Sequence, residues 1–416
     1  MQIRIKPYRH IFSIELFRGN SIRLVLLLFL LSGCTATRFL KEGESFYAGA
    51  KIKIQSQGRI RGQKNLVSKL DEYILPKPNK TVLGSRPGVW FYFIAGTPKK
   101  KKGLGNFVKK KLGSPPVLLS HATPQKTAKT LEVEVNNNGY FRSTVSYEVK
   151  TKRKKSTVIY TINLEHPYRL RNIDYTSIDS SNLNFYGAVI RGSLLKEKQR
   201  YQLERLQKDQ ARVEEVAKNN GYYYFDDRYL LFDADSSIGK RNVDVKLHFE
   251  WNTPSRMMRA YRVRNVNIFP NYNLVADSTV TPYDTIKIEG FNYIDNAKTF
   301  RPNIITDVIN VIPDSLYKRI HHEYTLSRLM SLKTFKFVNI KFTENHIDSA
   351  SLDANIYLTP LLKKSVRMQV EGVSKSNNFV GPGIELTFTN RNLFRGAEML
   401  QLKLNGAYEW QISRQQ

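Results

Sequence analysis

Asn137-Asn138-Gly139-Tyr140 closes an amphipathic stretch, and Asn219-Asn220-Gly221-Tyr222 closes another about eighty residues later. Each is followed by two alternating segments and then by Tyr-Arg-x-Arg-Asn: Tyr168-Arg169-Leu170-Arg171-Asn172 in the first case, Tyr261-Arg262-Val263-Arg264-Asn265 in the second. Self-similarity at this period marks tandem small domains and sets what counts as one structural unit. The chain is modular.

Working outward from the first tetrapeptide, Thr123 is expected to cap a helix that takes Pro124 in its first turn. Ala128, Leu131 and Val135 form its apolar face, and Gly139 supplies a left-handed stop. Upstream, Ala50 to Ile54 alternates apolar and basic residues as a strand does, and Leu66, Leu70 and Ile74 predict a helix ended by Pro76 and Pro78. Downstream, Val145, Tyr147 and Val149, then Val158, Tyr160, Ile162 and Leu164, alternate as two strands. The order is strand, helix, helix, strand, strand.

The second unit repeats it, with Tyr168 to Tyr175 as first strand, Leu203, Leu206, Val213 and Ala217 striping a long helix, and Val243, Val245, Leu247 and Phe249 in the last strand. A third copy is degenerate. Tyr261 to Phe269 reads as a strand, and Tyr317, Ile320 and Tyr324 as a helix face. Val338, Ile340 and Phe342 then form a hairpin with Leu352, Ala354, Ile356 and Leu358. Ser331-Leu332-Lys333-Thr334 stands where the Asn-Asn-Gly stop is expected.

Length and charge bound the function. A chain of 416 residues accommodates about three domains. Its 41% hydrophobic content and mean hydropathy of −0.43 describe a folded chain without multiple apolar spans. A net charge of +30 implies anionic partners: nucleic acid, lipid headgroups or surface glycolipid. The N-terminus chooses among them. Arg4, Lys6, Arg9, Arg18 and Arg23 precede the apolar run Leu24 to Leu31, which is too short to span a bilayer and reads as the core of a secretion signal. Export removes nucleic acid from the partners.

Cys34 is the only cysteine, so no internal disulfide forms. Directly after Leu31-Ser32-Gly33, it resembles the lipobox cysteine of bacterial lipoproteins, which becomes the lipidated first residue of the mature chain. The plainer alternative is a chance cysteine beside an ordinary cleavage site.

After Pro360 the helices stop. Val366, Met368 and Val370, then Ile384, Leu386 and Phe388, then Leu400, Leu402 and Leu404 alternate with polar residues in three consecutive segments. Transmembrane β-barrel strands look like this, with apolar side chains toward lipid, and Tyr408 and Trp410 suit an interfacial girdle. A soluble antiparallel sheet with one wet face permits the same alternation.

The tandem units with their Asn-Asn-Gly-Tyr stops, followed by Val380-Gly-Pro-Gly-Ile-Glu-Leu-Thr-Phe-Thr-Asn-Arg-Asn-Leu-Phe-Arg-Gly396, resemble the outer-membrane assembly factors built from polypeptide-transport-associated (POTRA) domains and a 16-stranded barrel. With Cys34 as lipid site, the resemblance is nearest to the lipoprotein form of the translocation and assembly module. It implies an α+β fold of tandem POTRA domains followed by the first strands of an incomplete transmembrane antiparallel β-barrel. The Arg-Gly-aromatic motif of the family's lumenal loop and its closing strand do not occur within Gln416, so the sequence is expected to be a fragment or a truncated product. The expected organisation is a lipoprotein signal peptide at 1–33, a first POTRA domain at 34–166 with an insertion at 76–124, and a second at 167–254. A third follows at 255–362 with an insertion at 270–303, and the barrel start at 363–416.

Rival chemistries fail. Asp233-Ala-Asp235-Ser-Ser237 begins like a calcium loop but has Ile238 where the turn needs glycine, so a hairpin turn is expected. Gly239-Lys240 lacks the upstream glycine of a phosphate loop, and His321-His322-Glu323 lacks a second histidine at metal spacing. No nucleophile is paired with a base. The expectation is no enzyme, no cofactor and no metal. Lys152-Arg153-Lys154-Lys155 reads as a solvated turn. Lys99–Lys102 and Lys109–Lys111 flank Phe107 in the insertion that also holds Trp90-Phe91-Tyr92-Phe93. Two readings stand there: an interface with anionic headgroups, or aromatics filling the first core beside solvated lysines.

The expected function is to assist insertion, assembly or translocation of outer-membrane and surface proteins. An edge strand of each three-stranded sheet would accept a client strand by main-chain hydrogen bonding. The resemblance implies nascent outer-membrane proteins as clients, inserted at a barrel seam. It also implies an inner-membrane-tethered (TamB-like) partner, contact with outer-membrane lipids, and residence in the outer membrane with periplasmic POTRA domains. The alternatives are a lipid-anchored binding module and a role in phospholipid passage.

Overall fold

The structure, a computed structural model, describes residues 36–411 apart from 57, 59, 61, 83–84, 97–102, 180–183, 273–284, 296, 346 and 376–378. The signal segment 1–33, Cys34 and Lys99–Lys102 lie outside the described residues. Two compact units form. One ends at Leu170 and takes in Lys198–Glu204 and Ser236–Val243; the other comprises Arg171–Glu197, Arg205–Asp235 and the chain from Asp244.

In the first unit β1 (Phe46–Ser56) runs parallel to β3 (Lys155–Leu164), and β2 (Thr144–Lys152) pairs antiparallel with β3, in the order β1-β3-β2. The register sets Ala50, Ile52 and Ile54 beside Val158, Tyr160 and Ile162, with Val149, Tyr147 and Val145 on the other flank of the same three. One face of the sheet is therefore apolar. The helices are α1 (Gln63–Glu72), α2 (Pro87–Ile94) and α3 (Pro124–Asn137). Leu66 and Leu70 of α1 and Ala128, Leu131 and Val135 of α3 close on that face as the spacing predicts. Leu131 is fully buried, which stabilises by about 2–3 kcal/mol.

Two expectations change here. Thr123 adopts φ 37°, which turns its hydroxyl from the helix amides, and its side chain makes no cap bond. Instead its carbonyl accepts the Thr127 N–H. The aromatics of α2 do not fill the main core either. Val89 is buried in a separate small cluster with Leu40 and Phe46, against which Phe93 and Leu118 pack, while Trp90 to Phe93 are only half-buried.

The second repeat has β4 (Arg169–Asp174), α4 (Tyr186–Arg191), α5 (Leu203–Asn219), β5 (Leu230–Asp235) and β6 (Asn242–Phe249), with strand order β4-β6-β5. Leu206, Val213 and Ala217 are buried along α5 as expected, and so is Asp209. Its carboxylate accepts the Tyr175 hydroxyl at 2.7 Å, the Leu194 N–H at 2.7 Å and Arg212 Nε at 2.8 Å. A buried charge persists only when so satisfied.

The third repeat departs from the expected three-stranded sheet. It has β7 (Arg262–Phe269), β8 (Thr285–Ile288), β9 (Phe291–Ile294), α6 (Pro302–Thr306), β10 (Ser315–Leu316), α7 (Arg319–Ser331), β11 (Phe335–Glu344) and β12 (Ser351–Pro360). Its sheet has six strands in the order β11-β12-β7-β9-β8, with β10 also on β7. The β8–β9 hairpin comes from the 270–303 insertion. On α7 the buried side chains are Thr325 and Leu329, whereas Ile320 and Tyr324 are exposed. The helix starts two residues after Tyr317, which shifts the stripe. Thr325 fits the core because its hydroxyl donates to the His321 carbonyl and accepts the Asn310 N–H.

The tetrapeptides are joints as well as stops. Gly139 and Gly221 have φ 88° and 99°, and Asn138 and Asn220 each donate a side-chain N–H to the carbonyl four residues back. The Gly139 carbonyl accepts the Tyr168 N–H at 2.8 Å, and the Tyr168 carbonyl accepts the Tyr201 N–H at 3.0 Å. Gly221, Tyr261 and Tyr317 repeat this relay at 2.8 and 3.0 Å. In the degenerate copy Lys333 takes the left-handed position, φ 55°.

Last comes an open antiparallel meander of β13 (Lys364–Ser374), β14 (Phe379–Arg391) and β15 (Met399–Ala407), with β16 (Trp410–Gln411) also on β14. The register puts Val366, Met368 and Val370 beside Phe388, Leu386 and Ile384, and Leu386 and Phe388 beside Leu404 and Leu402. That face is apolar and uncovered: Val366, Met368 and Val370 are 68–69% exposed. The other face carries the Lys403–Glu385 ion pair and the Arg391–Ser365 hydrogen bond. A soluble sheet would bury its apolar face, whereas barrel strands turn it outward to lipid. The fold is α+β, with tandem units in the POTRA order followed by the opening strands of a barrel-type sheet. Among the described residues no helix is long and apolar enough to cross a membrane.

Candidate functional site

The first two repeats cover part of one sheet edge with a loop segment; the third extends its sheet through β9 to β8, a four-residue edge strand with no further strand partner among the described residues. The start of β1 is paired by Val117 and Leu119, through Tyr47 N–H to the Val117 carbonyl and Leu119 N–H to the Ser45 carbonyl. β4 is covered by Lys198–Arg200 through the Leu170–Gln199 and Lys198–Leu170 hydrogen bonds and the Arg169–Arg200 bridge. β7 is covered by β10 and β9. The opposite edges, β2, β5 and β11, have no further strand partner among the described residues.

They differ in what they offer. β2 is nine residues long and joins β3 through Arg153 and Lys154, at φ 51° and 55°. Two central residues at positive φ make the tight turn whose flanking pair, Lys152 and Lys155, exchanges both ladder hydrogen bonds. Alternation then directs the N–H and C=O groups of Val145, Tyr147, Val149 and Thr151 away from β3. Their side chains lie on the helix-facing side, where Tyr147 and Val149 are exposed because α3 does not reach over them. An open groove of about 690 Å³ runs between α3 and this edge, lined by Lys126, Ala128, Lys129, Glu132, Val145 and Tyr147. Burial pushes the neighbouring Tyr160 phenol above its ordinary value. An extended chain laid on β2 would meet outward-facing main-chain groups, an apolar shelf and two lysines.

The other edges are better protected. β5 has six residues and ends in Asp233-Ala234-Asp235. β11 is bulged between Phe335 and Phe337, and its core-side Ile340 and Phe342 are buried. Bulges, charges and short length are what blunt a sheet edge.

The remaining sequence candidates are placed as follows. Lys152–Lys155 is the β2–β3 turn, and Asp233 and Asp235 end β5 ahead of the turn containing Gly239 and Lys240. His322 is on α7 against the Phe342 ring at 5.2 Å, and burial holds its imidazole below the ordinary value. No cluster of three metal-ligating side chains occurs among the described residues. β13, at the start of the last sheet, has one edge without a strand partner among the described residues, where the resemblance expects a seam. Sequence reasoning named the edge strands as a class but missed the groove and could not rank the edges. The Lys126 and Lys129 spacing on α3 is its only trace in the sequence.

No family model and no curated protein matches the sequence. Among solved structures, BamA from Haemophilus ducreyi lacking POTRA domains 1–3 is similar over 58% of this chain, at 11% identity and a TM-score of 0.37. The POTRA3–5 segment of Haemophilus influenzae BamA is similar over 77%, at 12% identity and a TM-score of 0.35, and is itself covered to 99%. CdiB from Acinetobacter baumannii is similar over 58%, at 8% identity and a TM-score of 0.28. The chain spans 37% of the length of the first and 39% of the last.

Proposed function

We propose that this chain is an outer-membrane lipoprotein, anchored through Cys34, that assists insertion, assembly or translocation of outer-membrane and surface proteins. The observation that carries this reading is the unpaired β2 edge beside its apolar groove. A nascent barrel strand alternates apolar and polar residues, so its main chain can pair with Val145, Tyr147 and Val149 while alternate side chains enter the groove, without any particular sequence being required. Free energy for assembly comes from the client's own pairing and burial. The uncovered apolar face of β13–β15 supports a membrane location, and the open β13 edge supports a seam where clients join. An inner-membrane-tethered partner at the repeats belongs to the same reading.

Tyr147→Pro tests this. It removes an outward N–H without removing a β2–β3 hydrogen bond, and an edge strand tolerates proline there. Binding of a labelled ten-residue barrel-strand peptide to the full chain in lipid nanodiscs is expected to weaken about tenfold, the worth of one or two main-chain hydrogen bonds. Tyr147→Phe should bind like the parent. Equal peptide affinity of a folded Tyr147→Pro chain would sink the edge-capture reading.

A further inference from the structure

Residues 73–131 contain eleven lysines and Arg86 but no Asp or Glu, the most one-signed stretch of the chain. Within it lies α2, Pro87-Gly-Val-Trp-Phe-Tyr-Phe-Ile94, apolar all round its circumference. Such a helix belongs either in a protein core or in a membrane. Here Val89 is its only fully buried side chain.

The surroundings form a built knob rather than a loose loop. The turn Val108–Leu112 packs on α2: the Ser114 N–H donates to the Gly88 carbonyl at 2.9 Å, and a Cβ on Gly113 would sit 3.1 Å from Tyr92 Cα. Lys109 Nζ lies 4.6 Å from the Tyr92 ring centroid and donates to the Gly96 carbonyl at 2.6 Å. Phe39 stacks on Phe93, centroids 4.8 Å apart. Around this scaffold Phe39, Ile94, Phe107 and Leu112 are 45, 55, 57 and 50% exposed, beside exposed Lys110 and Lys111. Large exposed apolar side chains in one small subdomain mark a docking surface.

We propose that this knob docks on an anionic lipid surface, with the α2 aromatics and Phe107 at headgroup depth and Lys109, Lys110 and Lys111 on the phosphates. Charge complementarity selects this occupant. A protein partner would need an equally one-signed acidic face, whereas a leaflet containing anionic phospholipid supplies one everywhere, and amphipathic aromatic rings settle at its interface. Phe39 also lies five residues from Cys34, within reach of any membrane to which that cysteine is tethered. The docking rests on the membrane location proposed above but is separate from client capture.

Trp90 is the reporter. In the full chain carrying Trp251→Phe and Trp410→Phe it is the one remaining tryptophan. The chain is reconstituted in phosphatidylethanolamine vesicles with and without phosphatidylglycerol, the acyl chains being brominated. Expected are blue-shifted Trp90 emission and bromine quenching that require phosphatidylglycerol and fade with salt. With Lys110 and Lys111 both changed to Gln and the scaffold residue Lys109 kept, the docked-to-free ratio should fall about twenty-five-fold, each lysine being worth about fivefold. Tyr147→Pro should leave the signal unchanged, so loss of client binding and loss of docking are read apart. Trp90 that is unquenched in both compositions, quenched equally in both, or blue-shifted only with rising protein concentration would overturn the proposal, the last result assigning the knob to a second copy.

Discussion

Gly139 and Gly221 are held to glycine by two constraints at once, a positive φ and a close approach. A Cβ on Gly139 would meet the Tyr201 carbonyl oxygen at 2.5 Å, which is backbone; on Gly221 it would meet Leu316 Cδ1 at 2.7 Å, the end of a side chain. Left-handed strain costs either alanine about 1–2 kcal/mol. The clash adds more at Gly139, because backbone cannot rotate away. Gly139→Ala should therefore destabilise by about 2–4 kcal/mol and Gly221→Ala by about 1–3 kcal/mol in urea melts. Leu316→Ala should recover part of the Gly221→Ala loss and none of the Gly139→Ala loss; the reverse ranking would count against the joint geometry. At His322 burial lowers the imidazole pKa below 6.5, Arg319 acting the same way and Glu323 against. The folded chain then binds that proton more weakly than the unfolded one, so stability present at neutral pH declines as pH falls through about 6.5. Urea melts at about pH 7.5 and about pH 5.5 should show this decline, and His322→Phe should make it shallower; an unaltered slope would assign the effect to other groups.

Strands in this chain carry their orientation in alternation, and alternation alone does not say which face is wet. In β3, Val158, Tyr160 and Ile162 point into a core closed by α1 and α3; in β13, Val366, Met368 and Val370 have the same pattern and no cover. In the membrane location proposed above, lipid removes the cost of that exposure. Neighbouring positions therefore carry opposite predictions. Met368→Lys places a charge on the apolar face and should cost about 2–4 kcal/mol of membrane insertion if near mid-depth, whereas Gln369→Lys on the polar face should cost little. Flotation of the full chain with vesicles checks this. Equal flotation of the two variants would mean that the face does not meet hydrocarbon.

For the molecule as a whole the attachments are expected to act together. A single acyl chain binds a bilayer marginally and two or three bind it stably. Cys34→Ser should therefore shift a fraction of the chain from membranes to the soluble pool in cell fractionation. Mass spectrometry of the parent should show an acyl adduct on Cys34. Absence of any adduct would return Cys34 to an ordinary residue beside a cleavage site and leave the barrel-type sheet and the knob as the membrane contacts.

The repeats are legible in the amino-acid order, because Asn-Asn-Gly-Tyr is local chemistry: an amide that caps carbonyls four residues back, and a glycine that alone takes positive φ without strain. That order also determined the strand faces through period two and most of the helix faces through four-residue steps. The α7 stripe departs from the expected one because Tyr317 belongs to the joint, where its N–H donates to the Tyr261 carbonyl, and not to the helix. Long-range packing settles that the 270–303 insertion adds strands beside β7, that Asp209 is a buried hub, and that α2 sits outside the main core. It also singled out β2, since openness of an edge depends on what distant segments such as Val117–Leu119 and Lys198–Arg200 cover. A local pattern records what a residue prefers; which neighbour or solvent satisfies the preference is settled by contacts far apart in the chain.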